Sequence, residues 1–189
     1  LASPALTLKW TTNIVQTHIG ALAADLLGDN RLEIVVTGVG SDGRGVVAVL
    51  NGTSGAVLWK SVDANIGTHS PFDIVDLNKD GVKEIVVSAW FPVVFFGNNG
   101  SLYWKNTACK AFQNYNTILD INGDGYPEIF VTGGSGPNAG YDYITCLSYD
   151  GNILDQTWAW HACFGGTTIG DTNFDGRFEA YQGDRRVTY

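Results

Sequence analysis

Four segments of the sequence crowd oxygen-bearing side chains together immediately before an apolar run. The third reads DINGDGYPEIFV from Asp120, and the others begin at Asp25, Asp76 and Asp171. Like charges this close together repel each other unless a positive charge lies among them. Because Ca²⁺ takes oxygen ligands in proteins, these segments predict calcium-binding loops, which we number loops 1 to 4 in chain order.

Composition and charge narrow the function classes. The chain has 189 residues, 44% of them hydrophobic, which suits a single domain over residues 1–189. The formal charge of −8 argues against a nucleic-acid partner. No apolar run approaches the roughly 20 residues that span a bilayer, so we expect no transmembrane segment. The absence of any methionine favours a processed product, and hence an extracellular or cell-surface location after removal of a secretory signal.

The cysteines leave their pairing open. The sequence contains three cysteines, so at least one is unpaired within the chain; they are Cys109, Cys146 and Cys163. A Cys109–Cys163 disulfide and three buried thiols are both compatible with the sequence, which cannot choose among the pairings.

The four loops mark a repeat. Their first aspartates are 51, 44 and 51 residues apart, and four-stranded propeller blades repeat about every 40 to 50 residues. In each unit a short strand enters the loop and a second, apolar strand leaves it. A third and a fourth strand follow across a glycine-bearing turn. The pattern predicts an all-β fold, a β-propeller with four blades of four antiparallel strands each.

The two ends of the chain complement each other in this pattern. ALTLKW, residues 5–10, matches the fourth strand of a blade, whereas the last unit ends after three strands. We expect the N-terminal strand to complete the last blade, which removes exposed sheet edges. Two alternatives stay open. The chain is part of a longer propeller, or its N-terminal strand completes a blade of a neighbouring copy and builds a homopolymeric filament by strand exchange.

The motif D-x-N-x-D-G-x-x-E followed by a strand resembles the FG-GAP/VCBS repeats. These are the calcium-binding blades of integrin α-subunit propellers and of many secreted microbial proteins. The resemblance covers nearly the whole chain and implies that loops 2 to 4 bind Ca²⁺ through three side chains, one carbonyl and a closing glutamate. The implied ligands are Asp76, Asn78, Asp80, the Val82 carbonyl and Glu84 in loop 2; Asp120, Asn122, Asp124, the Tyr126 carbonyl and Glu128 in loop 3; and Asp171, Asn173, Asp175, the Arg177 carbonyl and Glu179 in loop 4.

Loop 1 departs from this pattern. Leu27 stands at the third position, where an oxygen ligand belongs, and Asn30 replaces the glycine at the sixth. Asp25, Asp29 and Glu33 remain, so we expect a weaker site or none there. The chain is therefore expected to hold three calcium sites and a fourth, degenerate one.

A second candidate site is formed by residues seven positions before each loop, which are His18, His69 and Gln113 in the first three units. If the first strands of the blades line a central axis, these side chains meet at one channel mouth. There they bind a metal or a polar ligand, or they form a merely hydrogen-bonded ring.

No nucleophile, phosphate-loop or zinc motif appears in the sequence. We therefore expect a non-catalytic, calcium-stabilised module for binding, adhesion or assembly, whose partner is another protein, a glycan or copies of itself. The alternative is a fragment or relative of a polysaccharide lyase of the rhamnogalacturonan-lyase type, because some of these lyases share the repeat that the chain resembles.

Overall fold

The computed structural model describes residues 7–112, 114–134, 142–159, 166–182 and 185–188. These residues form fifteen strands in four antiparallel sheets. The all-β prediction, with one antiparallel sheet for each repeat, is confirmed. Within the same residues there is no helix that is long and apolar enough to cross a membrane.

The sheets follow one another along the chain, and within each sheet the strands lie in sequence order. Sheet 1 contains β1 (Leu22–Ala24), β2 (Glu33–Val39), β3 (Gly45–Asn51) and β4 (Val57–Val62). Sheet 2 contains β5 (Phe72–Val75), β6 (Glu84–Ser88), β7 (Pro92–Phe96) and β8 (Leu102–Lys105). Sheet 3 contains β9 (Thr117–Leu119), β10 (Glu128–Gly134), β11 (Asp142–Leu147) and β12 (Ile153–Ala159). Sheet 4 contains β13 (Thr168–Gly170), β14 (Glu179–Gln182) and β15 (Arg185–Thr188).

The middle strands of the sheets have no solvated face. Every residue of β6 is buried, and so is every residue of β3 except Asn51. A strand that packs between two neighbouring sheets needs apolar side chains on both faces, which explains the continuous β-branched runs. The core residues that join successive sheets include Val47 and Ile85 between sheets 1 and 2, Val86 and Ile129 between sheets 2 and 3, and Phe130 and Ala180 between sheets 3 and 4.

The loops fall into two groups at the two ends of the sheets. Loops 1 to 4 join the first strand of each sheet to its second, and we call their side the acid-loop end. The hairpins between third and fourth strands lie at the same end, where the Gly52 N–H donates to the Leu32 carbonyl at 3.1 Å. The connections from one sheet to the next lie at the opposite end.

An indole anchors one sheet to the hairpin of the next. Trp59 of β4 donates from Nε1 to the Gly97 carbonyl at 2.9 Å, and Trp104 of β8 donates to the Tyr149 carbonyl at 2.9 Å. The ring of Trp59 lies flat against the following hairpin, since a Cβ added at Gly100 would be 2.4 Å from its Cε3 atom. Gly100 also has a φ of +72°, so both space and backbone conformation require glycine there.

The N-terminal segment enters this pattern only in part. Trp10 donates from Nε1 to the Gly52 carbonyl at 3.1 Å, as the tryptophan of a preceding fourth strand would. Residues 7–10 nevertheless form no strand, and sheet 4 has three strands within the described residues. Residues 1–6 lie outside the described part. Closure into a four-bladed ring, in cis or by strand exchange with another copy, therefore stays a prediction.

Two of the three cysteines are buried thiols. Cys109 and Cys146 are free and are 3% and 2% exposed. Burial raises the pKa of each thiol to about 12, so neither serves as a nucleophile at neutral pH. Cys163 lies outside the described residues.

Replacing Gly100 by alanine should destabilise the chain more than replacing Gly43 by alanine. Both glycines have a positive φ, +72° and +77°, so alanine costs about 1 kcal/mol at either position. Only at Gly100 does the new Cβ also collide with an indole, which adds roughly 1–3 kcal/mol. Urea unfolding measures the difference, and equal losses of stability would contradict the anchoring role of Trp59.

Candidate metal-binding loops

The first aspartate of loops 2, 3 and 4 closes its loop by accepting a backbone N–H. The sixth-position glycine donates to Oδ2 of this aspartate at 3.1, 2.9 and 2.9 Å, respectively. These glycines are Gly81, Gly125 and Gly176, with φ values of +89°, +93° and +83°. Glycine adopts this conformation without steric cost, which is the physical reason for glycine at the sixth position.

The asparagine at the third position lies between acids in each of these loops. Its Nδ2 donates to the fifth-position aspartate at 3.0, 3.1 and 2.9 Å in loops 2, 3 and 4. In loop 3, Asn122 Nδ2 also donates to Glu128 Oε1 at 3.1 Å. An amide therefore supplies partial positive charge where the carboxylates of Asp124 and Glu128 converge. A cation at this point would be attracted by the same carboxylates.

The closing glutamate of every loop is buried although its side chain is ionisable. Glu33, Glu84, Glu128 and Glu179 are 1%, 0%, 3% and 1% exposed. One carboxylate oxygen accepts the N–H of the second loop residue, at 2.8 Å from Leu77 and at 2.9 Å from Ile121. This glutamate therefore fixes the start of the loop as well as its end. This second role was not predicted from the sequence, because an acid at the ninth position already had an explanation as a ligand.

Loop 2 leaves two buried carboxylate oxygens without a hydrogen-bond partner, Glu84 Oε1 and Asp76 Oδ1. The pKa of Glu84 is raised to about 7, chiefly by burial; the hydrogen bond from the Leu77 N–H lowers it, and the charges of Asp80 and Asp76 add to the rise. A buried anion is costly unless a positive group compensates it. The donor set of loop 2 therefore fits a divalent cation, which its five implied ligands would hold.

Loops 3 and 4 offer the same set of oxygens, and more of their carboxylate oxygens have hydrogen-bond partners than in loop 2. Burial raises the pKa of Glu128, and the charges of Asp124 and Asp120 add to this shift. In loop 4, Thr172 Oγ1 donates to Glu179 Oε2 at 2.7 Å. Among the described residues, no three His, Cys, Asp or Glu side chains converge on a preformed metal site. The implied ligand set of each loop, however, also includes an asparagine oxygen and a main-chain carbonyl. In loop 2, two buried carboxylate oxygens in addition have no hydrogen-bond partner. Calcium stays a prediction.

Loop 1 differs in structure as it does in sequence. Leu27 is 47% exposed and offers no oxygen, and Asn30 has a φ of +62° in place of a glycine. Asp25 accepts three backbone N–H groups, from Gly28 at 2.7 Å, Asp29 at 3.2 Å and Asn30 at 2.9 Å. The oxygen set of loop 1 does not fit a cation as those of loops 2 to 4 do.

At the opposite end, the structure brings together two residues of the second candidate site. The rings of His18 and His69 stack with centroids 4.4 Å apart and planes 5° from parallel. The His18 N–H donates to the Thr68 carbonyl at 2.8 Å, and Thr68 Oγ1 lies 3.0 Å from His69 Nδ1. Both imidazoles are exposed, so they are accessible to a ligand. Gln113 lies outside the described residues.

An aromatic and basic group lies at the same end of the sheets. Trp90, 43% exposed, packs edge-on against Phe112 with ring centroids 4.5 Å apart. Lys110 Nζ lies 3.8 Å from the ring centroid of Phe91 and 5.4 Å from that of Trp90. An exposed indole beside an ammonium group offers an apolar face and hydrogen-bond donors to a polar ligand.

A half-buried carboxyl between sheets 2 and 3 was missed by the sequence analysis. Asn116 Nδ2 donates to Asp73 Oδ2 at 3.0 Å, while Asn116 Oδ1 is buried without a partner. Burial raises the pKa of Asp73, and the hydrogen bond from Asn116 offsets this only in part. A carboxyl group with a raised pKa is a candidate proton acceptor. No local motif marks Asp73, since its partner is 43 residues away.

Comparisons with known proteins bear on the fold. No protein-family model and no curated protein matches the sequence. Among solved structures, the rhamnogalacturonan lyase YesW matches with a TM-score of 0.59 and 16% identity over 88% of this chain and 40% of its own. The rhamnogalacturonan lyase PL11 of Bacillus licheniformis matches with a TM-score of 0.60 and 14% identity, over 88% and 40%. The exotype rhamnogalacturonan lyase YesX matches with a TM-score of 0.58 and 13% identity, over 88% and 38%.

At these identities the likeness shows the fold alone, which is all-β and β-propeller-like. The chain spans 40% or less of the length of these three structures. What the lyases do as whole proteins therefore does not transfer to this chain with the fold.

Replacing Glu84 by glutamine should have opposite effects with and without calcium. In a chelating buffer well above pH 7, the amide removes a buried negative charge, whose desolvation and repulsion by Asp80 and Asp76 raise the pKa of Glu84 to about 7, so the melting temperature should rise. In millimolar calcium the same change removes a ligand charge, so the melting temperature should fall below that of the wild type. Differential scanning calorimetry in both buffers measures the two effects.

The pH dependence in chelator provides a second readout. The pKa of Glu84 is raised from 4.5 to about 7 in the folded chain, so its contribution to stability is present below pH 4.5 and is lost as the pH rises through about 7. The wild type should lose stability over this range, and E84Q should lose less. Asp155→Asn, at an exposed acid outside the loops, is the matched control. An E84Q melting temperature below that of the wild type in both buffers would contradict this role of Glu84.

Proposed function

We propose that the chain is a calcium-stabilised β-propeller module of the FG-GAP/VCBS kind with four blades. It acts outside the cell as a non-catalytic unit of binding, adhesion or assembly, and its partner is a protein, a glycan or further copies of the chain. The observation that carries the proposal is the pair of buried, unpartnered carboxylate oxygens in loop 2, Glu84 Oε1 and Asp76 Oδ1.

Calcium is the cation that the chemistry of the loops favours. The candidate ligands are carboxylate, amide and carbonyl oxygens, whereas thiolate and imidazole ligands suit transition metals. Ca²⁺ accepts variable numbers of oxygen ligands, and Mg²⁺ demands a near-ideal octahedron that flexible loops rarely build. When bound, the ion neutralises the carboxylates and ties the first half of the loop to the closing glutamate.

Charge and exposure support a location outside the cell. Three divalent ions add six positive charges to the formal −8 and leave −2. The fifth-position aspartate of each loop is exposed and the first is half-buried, as is typical of sites of modest affinity. Extracellular calcium modules have dissociation constants of about 10⁻⁴–10⁻³ M, so their sites are occupied only when calcium is near millimolar.

The two ends of the sheets then have different tasks. The acid-loop end is the structural end, where ions join strands. The opposite end offers the stacked pair of His18 and His69, the exposed indole of Trp90 and the ammonium group of Lys110. These groups can stack on a ligand and donate hydrogen bonds to it, so the opposite end is the proposed binding surface.

Removing calcium with a chelator should sharply lower the melting temperature. An ion that binds only the native state stabilises it by about 2.7 kcal/mol per site at 100 times the dissociation constant. For a chain of this size this corresponds to roughly 5–10 °C per site. Calorimetry with excess EGTA and again after calcium is restored measures the change.

Magnesium in place of calcium is the control, and it should restore little of the lost stability. The triple variant D80N/D124N/D175N keeps the loop backbone bonds but removes one ligand charge from each of loops 2 to 4. Its melting temperature should respond much less to chelation. An unchanged wild-type melt in EGTA would reject calcium as the stabilising ion.

A polysaccharide lyase is the second candidate, because three rhamnogalacturonan lyase structures share the fold. Lyase chemistry on a uronate begins with removal of the proton next to the carboxylate group, which requires a general base. Asp73, with its raised pKa, is the described carboxyl that suits this task best. His69 is an alternative base at the same end of sheet 2.

Incubation with rhamnogalacturonan distinguishes the two candidates. The binding module should retain the polysaccharide on an affinity gel without forming unsaturated products, which absorb ultraviolet light. D73N and H69A should then be as inactive as the wild type, and the matched control D155N should behave identically. Product formation that is lost in D73N or H69A, but not in D155N, would replace the binding proposal by the lyase.

A further inference from the structure

We propose that Asp73, when it is protonated, donates a hydrogen bond to the side-chain oxygen of Asn116, and that this bond makes the junction between sheets 2 and 3 dependent on pH. The contact lies outside the acid loops and requires no bound ion. Three observations support it, namely an existing hydrogen bond between the two side chains, a buried oxygen without a partner and the place of both residues in the repeat.

The side chains of Asp73 and Asn116 join the first strands of two sheets. Asp73 lies in β5, the first strand of sheet 2, and Asn116 immediately precedes β9, the first strand of sheet 3. Asn116 Nδ2 donates to Asp73 Oδ2 at 3.0 Å. The amide oxygen, Asn116 Oδ1, is buried and accepts no hydrogen bond from the described residues. A buried acceptor without a donor is unfavourable, so this junction lacks one hydrogen bond.

Protonation of Asp73 supplies the donor that Asn116 Oδ1 lacks. A carboxylate can only accept hydrogen bonds, whereas a protonated carboxyl group also has one O–H donor. The acid and the amide then exchange two hydrogen bonds, one in each direction, and we call this pair the Asp73–Asn116 clasp. In the ionised form only the bond from Asn116 Nδ2 remains. The proton comes from the solvent, and no other group changes its charge.

The surroundings of Asp73 favour the protonated form. Burial raises the pKa of Asp73, and the hydrogen bond from Asn116 lowers it only in part. The neighbouring strands β1 and β9 contain no titratable residue, and β6 contains only Glu84, which pairs with Val75, two residues further along β5. Tyr115, beside Asn116, is 62% exposed. Among the described residues, no lysine, arginine or histidine forms an ion pair with Asp73 that would stabilise the anion.

The repeat shows that a titratable group at this place is particular to one junction. In each junction, the residue three positions before the first loop aspartate faces the next unit, whose residue four positions before its own loop corresponds to Asn116. These residues are Leu22 and Phe72 for sheets 1 and 2, and Thr117 and Thr167 for sheets 3 and 4. Thr117 Oγ1 donates to the Thr167 carbonyl, so that junction is closed by a hydroxyl group at any pH. At this register, only the junction between sheets 2 and 3 can change its charge.

The clasp acts on a connection that carries part of the proposed binding surface. Asn116 ends the segment between β8 and β9, which contains Lys110. The same segment is held to sheet 2 where the Ala111 N–H donates to the Trp90 carbonyl at 3.2 Å. A proton on Asp73 therefore fastens the segment that presents Lys110 at a second point. This consequence for recognition rests on the proposed function, whereas the clasp itself does not.

Urea unfolding of the wild type and of D73N, from about pH 4 to about pH 8 at one fixed calcium concentration, tests the clasp. Asparagine at this position can exchange both hydrogen bonds with Asn116 at every pH, as the protonated acid does. The pKa of Asp73 is raised above its ordinary value of 3.8, so the stability from the clasp is complete below pH 3.8 and is lost as the pH rises through the folded-state pKa. Over that interval the unfolding constant of the wild type relative to D73N should rise by about tenfold per pH unit, and then level off. D155N is the matched control and should follow the wild type.

Carbon NMR of the side chains tests whether the proton on Asp73 bonds to Asn116. The Cγ resonances of Asp73 and Asn116 should titrate with the same pKa, because the amide oxygen gains a hydrogen bond when the carboxyl group gains a proton. Asn114, whose amide donates to Thr132, is the internal control and should not follow this titration. A pH-independent difference between the wild type and D73N, or an Asn116 resonance that does not follow Asp73, would overturn the proposal. If D73N does not fold, the carbon titration of the wild type decides alone.

Discussion

Repulsion among carboxylates gathered at one end of the sheets is the constraint on which the rest of the structure depends. The repeat needs a tight turn between the first two strands of each sheet, and it builds this turn from aspartates that accept backbone N–H groups. A glutamate that holds the second loop residue is buried at the turn. Part of this charge is satisfied locally, by N–H groups, by an asparagine amide and by a threonine hydroxyl. The remaining negative charge, most evident at Glu84 Oε1 and Asp76 Oδ1, accepts no hydrogen bond from the described residues. A bound cation would compensate this charge.

In the proposed function, the structural role and ligand recognition lie at opposite ends of the sheets. At the acid-loop end, the strands, hairpins and indole anchors meet, so a change there alters the stability of the whole array. At the opposite end, His18, His69, Trp90 and Lys110 lie on connections that are free to vary without disturbing the turns. A fold of repeated small sheets can in this way keep one end constant and adapt the other to a ligand.

The sheets could be predicted from the repeat, whereas the contacts between neighbouring sheets could not. Spacings of 51, 44 and 51 residues and the strand patterns indicated four antiparallel units, because each unit is local in sequence. The glycine at the sixth loop position could also be explained from the sequence, because it depends only on the geometry of the turn. The contacts of Lys83 with Asp25, 58 residues away, and of Asn116 with Asp73 depend on how neighbouring sheets pack, which no periodicity encodes. The segment ALTLKW shows the reverse case. Trp10 makes the hydrogen bond that the tryptophan of a fourth strand makes, but residues 7–10 do not form the predicted strand.

The indole anchors give the row of sheets a polarity. Trp10, Trp59 and Trp104 each reach forward to the hairpin of the sheet that follows them. Trp59 and Trp104 each stand four residues after the glycine of the hairpin in their own sheet. In sheet 3 this position is held by Asp155, so the series of tryptophans stops at Trp104. A carboxylate cannot pack against a glycine turn as an aromatic ring does, and among the described residues sheet 4 has no indole anchor of the kind that holds sheets 1 to 3. Under tension or during partial unfolding, sheet 4 should therefore separate before the sheets that an indole anchors.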